Sequence, residues 1–127
     1  MNKRIILTAS FFGALAVIFG AFGAHSLKNT ISPVNLSIWQ KGVEYQFYHT
    51  FALLFLSTFA RYKNKLIGFA FIFFSLGIIL FSGSLYVLAL QDVLKLSVGF
   101  IGPITPIGGL CFILGWISLF LAALKDK

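Results

Sequence analysis

Four long apolar segments constrain this 127-residue chain more than any other feature of its sequence. They cover residues 5–24, 43–60, 66–90 and 103–124. A helix of about 18 to 22 residues rises about 27 to 33 Å, which matches the roughly 30 Å hydrocarbon core of a bilayer. The segments therefore predict an all-α membrane protein, a four-helix transmembrane bundle that forms one integral membrane domain over residues 1–127.

Composition and charge agree with a lipid-facing exterior. Hydrophobic residues make up 59% of the chain and charged residues 10%, whereas a soluble domain is roughly 45 to 50% apolar. The net charge of +7 comes from basic residues at the ends of the apolar segments, as lipid headgroups and the positive-inside rule require. No nucleic-acid motif accompanies that charge, so no nucleic-acid partner is predicted. The single cysteine, Cys111, excludes an internal disulfide and a multi-cysteine metal site.

The distribution of lysine and arginine predicts the orientation. One side of the membrane receives Lys3, Arg4, Arg61, Lys63, Lys65, Lys125 and Lys127, and the other receives Lys28, Lys41 and Lys95. The excess predicts that both termini are cytoplasmic, that residues 61–65 form a cytoplasmic turn and that residues 25–42 form the main outer loop of a multi-pass protein in the cell membrane. The first apolar run is longer than the roughly 7 to 15 residues of a signal-peptide core, so it is expected to be a span.

The outer loop contains a helix start. Ser32 and Pro33 resemble an N-cap followed by the first helical position. We therefore expect a short interfacial helix from Pro33, with Trp39 at headgroup level and a bend at Gly42 into the second span.

Small residues recur at heptad spacing and predict the faces on which the helices pack. The first span carries Ala9, Gly13, Ala16, Gly20 and Gly23, the third carries Gly68, Ser75 and Ser82, and the fourth carries Gly108, Cys111, Gly115, Ser118 and Ala122. Small side chains let helix backbones approach in lipid, which predicts a tight left-handed bundle. Pro103 and Pro106 fit the first turn of the fourth helix, or alternatively mark a broken outer end.

Polar residues gather at the outer ends of the segments, and they form the candidate polar network or ligand site. The set is His25, Glu44, Tyr45, Tyr48, His49, Ser82, Ser84, Tyr86 and Thr105. Tyr45 and His49 are expected to point inward, and Glu44 is expected to hydrogen-bond Tyr48 one turn later. If Glu44 anchors the network, its removal should lower stability more than removal of Lys41 does.

Four interpretations of the cluster remain open. It is a structural network that joins helices, a pocket for a small ligand, ion or proton relay, a catalytic site, or a haem site with His25 and His49 as axial ligands. Catalysis is disfavoured because no nucleophile stands beside the candidate base and no metal-ligand pair has the required spacing. The leading interpretation assigns no catalytic residue, metal or cofactor.

Four stretches resemble a known family: "GAFGAHSL" (20–27), "WQKGVEYQFYHTFALL" (39–54), "FSGSLYVLAL" (81–90) and "GPITPIGGLCFILGW" (102–116). Together they are similar to a small inner-membrane family of unknown function, domain of unknown function family 423, which includes YgdD-like and YwdK-like bacterial proteins and the eukaryotic transmembrane protein 256. The resemblance implies a four-span membrane protein and supplies no activity or site residues.

The predicted function is that of a non-catalytic structural or accessory membrane component. Its expected partners are the lipid bilayer and a second copy or another membrane protein. The alternative is a small transporter or ligand-binding protein with a polar site in the outer half of the bundle.

Overall fold

The computed structural model describes residues 2–59 and 64–126, and it is helical through most of that length. The helices are α1 (Lys3–Phe22), α2 (Pro33–Phe59), α3 (Lys65–Gly77), α4 (Gly83–Ala89), α5 (Gln91–Leu94) and α6 (Ile104–Lys125). Two π-helical segments, Gly23–Leu27 and Ile78–Ser82, extend α1 and join α3 to α4. The described residues contain no β-strand. The expected turn over residues 61–65 lies largely outside the described residues.

Side-chain caps define where three of the helices begin. The Asn2 side chain accepts from the backbone N–H of Arg4 at 3.1 Å, and the Asn64 side chain accepts from Leu66 at 2.9 Å. At α2, the Ser32 hydroxyl accepts from the Asn35 N–H at 3.1 Å. Such bonds satisfy backbone donors that have no partner in the first turn. The predicted helix start at Pro33 is confirmed.

Within the part of the chain that the structure describes, three helical units are long and apolar enough to cross a membrane. They are Lys3–Leu27, Lys65–Ala89 and Ile104–Lys125. α2 is also long, at 27 residues, but Lys41, Glu44, Gln46 and His49 make it less apolar. α6 is unbroken, with Pro103 just before it and Pro106 in its first turn, so the interpretation of a broken outer end is wrong.

α2 is one continuous helix, so the helix expected from Pro33 runs into the second apolar segment, and it is not interrupted at Gly42. Gly42 instead permits close packing. Its carbonyl accepts a hydrogen bond from the Ser82 hydroxyl at 2.7 Å, and a β-carbon on it would lie 2.8 Å from the Tyr86 ring. Trp39 is buried against α1 and keeps only 4% of its surface exposed.

The helices pack in the order of the chain. α1 packs against α2, α2 against α3 and α4, and α3 against α6, whereas α1 and α6 are not a closely packed pair. The first pair is antiparallel, because the Asn2 N–H lies 3.4 Å from the Ser57 carbonyl at one end and the Trp39 indole donates to the Phe19 carbonyl at the other.

Two reciprocal contacts between a phenylalanine ring and a glycine join α3 and α6. Gly77 of α3 faces the Phe112 ring of α6, and Gly115 of α6 faces the Phe74 ring of α3. A β-carbon on either glycine would overlap the ring, and both phenylalanines are almost fully buried. The two helices carry the same pattern, "FSLG" at 74–77 and "FILG" at 112–115. We call this reciprocal contact the Phe–Gly interlock.

Glycines elsewhere differ in how closely they are packed. Gly108 approaches the backbone of Phe81, Gly23 faces the Trp39 ring, and Gly13 and Gly20 make ordinary van der Waals contacts with α2. Gly68 is exposed, and a β-carbon on it would meet no atom of another helix within 4 Å, so the expected packing seam through Gly68 on the third span is wrong. The buried face of α3 instead contains Ile67, Ala70, Phe74 and Gly77.

Candidate functional site

The structure divides the predicted polar cluster into two groups. His25, Glu44 and Tyr48 are exposed on the surface of the helices. The remaining members lie inside or at the edge of the packed helices, with His49, Ser82 and Ser84 buried and Tyr45, Tyr86 and Thr105 half-buried. Among the described residues, no side-chain hydrogen bond joins the exposed group to the buried group.

Glu44 belongs to a surface ion pair. Its carboxylate lies 3.2 Å from the Lys41 ammonium, and the two side chains are 48% and 55% exposed. The expectations that Glu44 anchors the buried network and bonds to Tyr48 are therefore wrong. Lys41 precedes Glu44 by one helical turn, which brings the two side chains together on the same exposed surface of α2.

A glutamine joins three helices at the centre of the buried group. The Tyr86 hydroxyl of α4 donates to Oε1 of Gln46 at 2.6 Å, and Nε2 of Gln46 donates to the Phe12 carbonyl of α1 at 2.8 Å. Gln46 is 2% exposed. An amide can act as acceptor and donor at once, so one side chain of α2 connects α4 to α1.

The His49 side chain of α2 is held by one hydrogen bond to its own helix and one to α6. Its Nδ1 lies 2.7 Å from the Tyr45 carbonyl, and the Trp116 indole donates to Nε2 at 3.1 Å. These partners require the neutral ring with its proton on Nδ1. The ring also stacks on Phe112, with centroids 3.5 Å apart. Both nitrogens are engaged and His25 is exposed, so the pair does not provide two axial haem ligands.

Hydroxyl groups form the remaining hydrogen bonds between helical segments. The Ser82 hydroxyl donates to the Gly42 carbonyl of α2 at 2.7 Å. Ser84 donates to the Phe81 carbonyl at 2.8 Å, so the Thr105 hydroxyl, 2.6 Å away, donates to Ser84. The hydrogen bond between Thr105 and Ser84 connects the first turn of α6 to α4.

Sequence reasoning overlooked three residues of this network: Trp39, Gln46 and Trp116. A signal for two of them was present. The buried face of α2 includes Asn35, Trp39, Gly42, Gln46, His49, Leu53 and Leu56, which alternate in steps of four and three residues. Reading backward from His49 by three instead of four reaches Gln46 instead of Tyr45. Trp116 carries no comparable signal, because it is 47% exposed and does not belong to the buried face of α6.

The chemistry available to the buried network is limited by these bonds. Within residues 2–59 and 64–126, no group of three or more His, Cys, Asp or Glu side chains could hold a metal ion. Of the buried side-chain oxygens and nitrogens described, Thr50 Oγ1 alone lacks a hydrogen-bond partner. The polar groups are thus occupied with one another and with helix carbonyls.

Comparison with known proteins places the chain. A family model described as protein of unknown function (DUF423) matches residues 19–109. The chain belongs to the DUF423 family. The UPF0382 membrane protein SAB0533 of Staphylococcus aureus is 42% identical to it over 123 residues, which are 97% of each chain. No solved structure matches this DUF423 protein.

Two further relatives extend the family across bacteria. UPF0382 membrane protein YwdK of Bacillus subtilis is 39% identical over 127 residues, covering 97% of this chain and 98% of YwdK. UPF0382 inner membrane protein YgdD of Escherichia coli is 37% identical over 128 residues, covering 99% and 93%. This DUF423 protein is accordingly a multi-pass protein of the cell membrane, and its family carries no enzymatic name.

Proposed function

We propose that this protein is a non-catalytic structural or accessory component of the membrane, with four spans and both termini in the cytoplasm. One observation carries the proposal. The buried polar side chains are hydrogen-bonded from helix to helix, through Gln46, His49 and Ser82. Polar groups used in this way stabilise one arrangement of helices in lipid.

The packing of α2 supports its assignment as a membrane span in addition to the three helical units named above. α2 runs alongside α1 from Ser57 at one end to Trp39 at the other, and its 27 residues rise about 40 Å. Its inward polar residues find partners on α1, α4 and α6. Glu44 and Lys41 pair near its outer end, where headgroups and water tolerate charge.

Labelling with a membrane-impermeant maleimide tests the topology. In a Cys111→Ser background, single cysteines at Lys28 or Lys95 should react in intact cells, whereas a cysteine at Lys125 should react only after permeabilisation. Equal reactivity at Lys28 and Lys125 in intact cells would contradict the four-span arrangement.

The transport alternative lacks a comparable observation. A polar path needs groups that can exchange partners with a substrate, yet Gln46 and Tyr86 are already bonded to each other at 2.6 Å.

Purification of the tagged protein from native membranes in mild detergent tests the accessory function. We expect a complex larger than one chain, formed with itself or with another membrane protein. A monomer that copurifies with nothing would refute this.

A further inference from the structure

A lateral groove separates α2 from the outer half of α6. It has a volume of about 610 Å³ and is lined by Tyr45 and His49 of α2 and by Pro106, Gly109, Phe112 and Trp116 of α6. On the α3 side of α6, the Phe112 ring fills the space beside Gly77. Gly109 has no side chain to fill what remains.

We propose that this groove binds one acyl chain of an outer-leaflet phospholipid. The proposal rests on the four-span topology proposed above, which places α2 and α6 across the membrane. It goes beyond that topology by naming a lipid site and the residues that form it.

The dimensions of the groove decide between a lipid chain and a partner helix. Pro106 and Trp116 are ten residues apart, so α6 lines the groove for about 15 Å, whereas Tyr45 and His49 line it over a single turn of α2, about 6 Å. A helix with its side chains is about 10 to 12 Å wide. The stretch that has a wall on both sides is therefore shorter than a helix is wide, and it suits a thin flexible chain better than a helix of a second copy.

The direction and surface of the groove also fit an acyl chain. It follows α6 from its outer end at Pro106 to Trp116 near the middle of the helix, which is the direction of lipid chains. Leu110 and Ile113, which flank it, are more than half exposed. The His49 ring and the Trp116 indole use their nitrogens on each other or on backbone, so the groove offers a mainly apolar wall. An empty groove would forfeit dispersion contacts, and lipid is the adjacent medium that restores them.

Trp116 reports directly on occupancy. With Trp39→Phe, it is the only tryptophan of the full chain. We titrate the detergent-solubilised protein with phosphatidylglycerol that carries dibrominated acyl chains and measure quenching of Trp116 fluorescence. We expect a saturable component at one lipid per protein, above a non-saturating background that arises because Trp116 is 47% exposed. In a Trp39→Phe, Trp116→Phe and Phe11→Trp variant, the reporter is on the lipid-exposed face of α1, and quenching should rise without saturating.

Two matched leucine substitutions test the groove itself. A β-carbon on Gly109 meets only ordinary contacts at 3.8 Å or more, so Gly109→Leu fills the groove without displacing backbone. Gly68→Leu makes the same change at an exposed glycine of α3 outside the groove. Gly109→Leu should abolish the saturable quenching, and Gly68→Leu should leave it unchanged.

Native mass spectrometry of chains that retain both tryptophans provides a second measurement. One lipid should remain on the wild type and on Gly68→Leu, and none on Gly109→Leu. Quenching at Trp116 without a saturable component, or a lipid retained by Gly109→Leu, would overturn the proposal. Quenching that emerges only when the protein is diluted would also overturn it, in favour of a second copy over the groove. The maleimide labelling reports topology separately, so failure of either proposal can be distinguished.

Discussion

Gln46 is the residue on which the joining of three helices depends. Its amide oxygen and nitrogen each hold a buried partner, Tyr86 on α4 and the Phe12 carbonyl on α1. An ionised carboxylate of similar reach accepts hydrogen bonds but does not donate them, so it could not hold both partners. A single substitution there therefore breaks two interhelical contacts at once.

Replacement of Gln46 should destabilise the protein more than replacement of an exposed glutamine on the same helix. Gln46→Leu leaves the Tyr86 hydroxyl without its partner, and we expect a loss of about 1 to 3 kcal/mol in the free energy of unfolding. The measurement is thermal unfolding in detergent. Gln40→Leu is the matched control, since Gln40 is on the same helix but exposed. Equal midpoints for the two variants would show that the buried amide contributes nothing.

Glu44 should prove far less important than its position in an apolar chain indicates. Among the described residues its charged partner is Lys41, and both side chains are about half exposed. Exposed pairs of this kind contribute about 0 to 1 kcal/mol. We expect Glu44→Leu and Lys41→Leu to shift the unfolding midpoint in detergent by similar small amounts. A large loss in Glu44→Leu alone would restore the anchoring role that the sequence predicted.

The sequence predicted which polar residues occur near the outer face, but not which of them pair. Helical periodicity places residues on a face to within one position, and that margin separates Gln46 from Tyr45. The pairing of His49 with Trp116 depends on how far α6 slides along α2, which no local spacing fixes. Glu44 was overvalued because a charge beside an apolar run can turn back to the headgroups.

At the scale of the helices, the Phe–Gly interlock determines how α3 and α6 meet. Each helix contributes a phenylalanine and, three residues later, a glycine, so antiparallel packing brings each ring to the opposite gap. The arrangement fixes the sliding position of the pair, since a shift of one turn would set ring against ring.

Enlarging a glycine of the interlock should be costly. Gly77→Ala forces a methyl group against the Phe112 ring, and we expect overpacking to lower the free energy of unfolding by about 1 to 3 kcal/mol. Combining it with Phe112→Leu should cost less than the sum of the two single changes, because the smaller side chain makes room. Gly68→Ala, where space is open, should be neutral or slightly stabilising. Additive effects in thermal unfolding would refute the interlock.

The sequence predicted the extents of the helices well and their local geometry less well. Apolar runs and caps locate Lys3–Leu27, Lys65–Ala89 and Ile104–Lys125 to within a few residues. The π-helical segment Ile78–Ser82 escaped notice because it changes hydrogen-bond spacing without changing composition. A glycine permits both bending and close approach, so the sequence alone does not distinguish the two at Gly42, whereas the neighbouring Tyr86 ring shows that close approach requires it.

For the whole molecule, α2 is the helix that most needs its neighbours. Polar side chains at Gln46 and His49 raise the free energy of an isolated helix in hydrocarbon. Within the protein the same groups bond to α1, α4 and α6. The helix is thus stabilised by its partners more than by its own hydrophobicity.

This dependence predicts opposite effects of one substitution. In an insertion assay that scores membrane integration by glycosylation of flanking sites, residues 33–59 alone should integrate poorly, and Gln46→Leu should improve integration severalfold. The same substitution should lower the stability of the full chain. Gln40→Leu, at an exposed site nearer the outer end, should affect integration less. Efficient integration of the unaltered segment would contradict the dependence of α2 on its neighbours.

The Phe–Gly interlock also limits the paths by which this protein can diverge. A larger residue at Gly77 is tolerable only if Phe112 has already become smaller, and the same condition links Gly115 to Phe74. Viable lineages must therefore pass through a slightly loosened intermediate before either pair can change. The two residues of each pair should consequently vary together among descendants. When one residue becomes larger its partner should become smaller, so that the summed volume of the pair stays nearly constant.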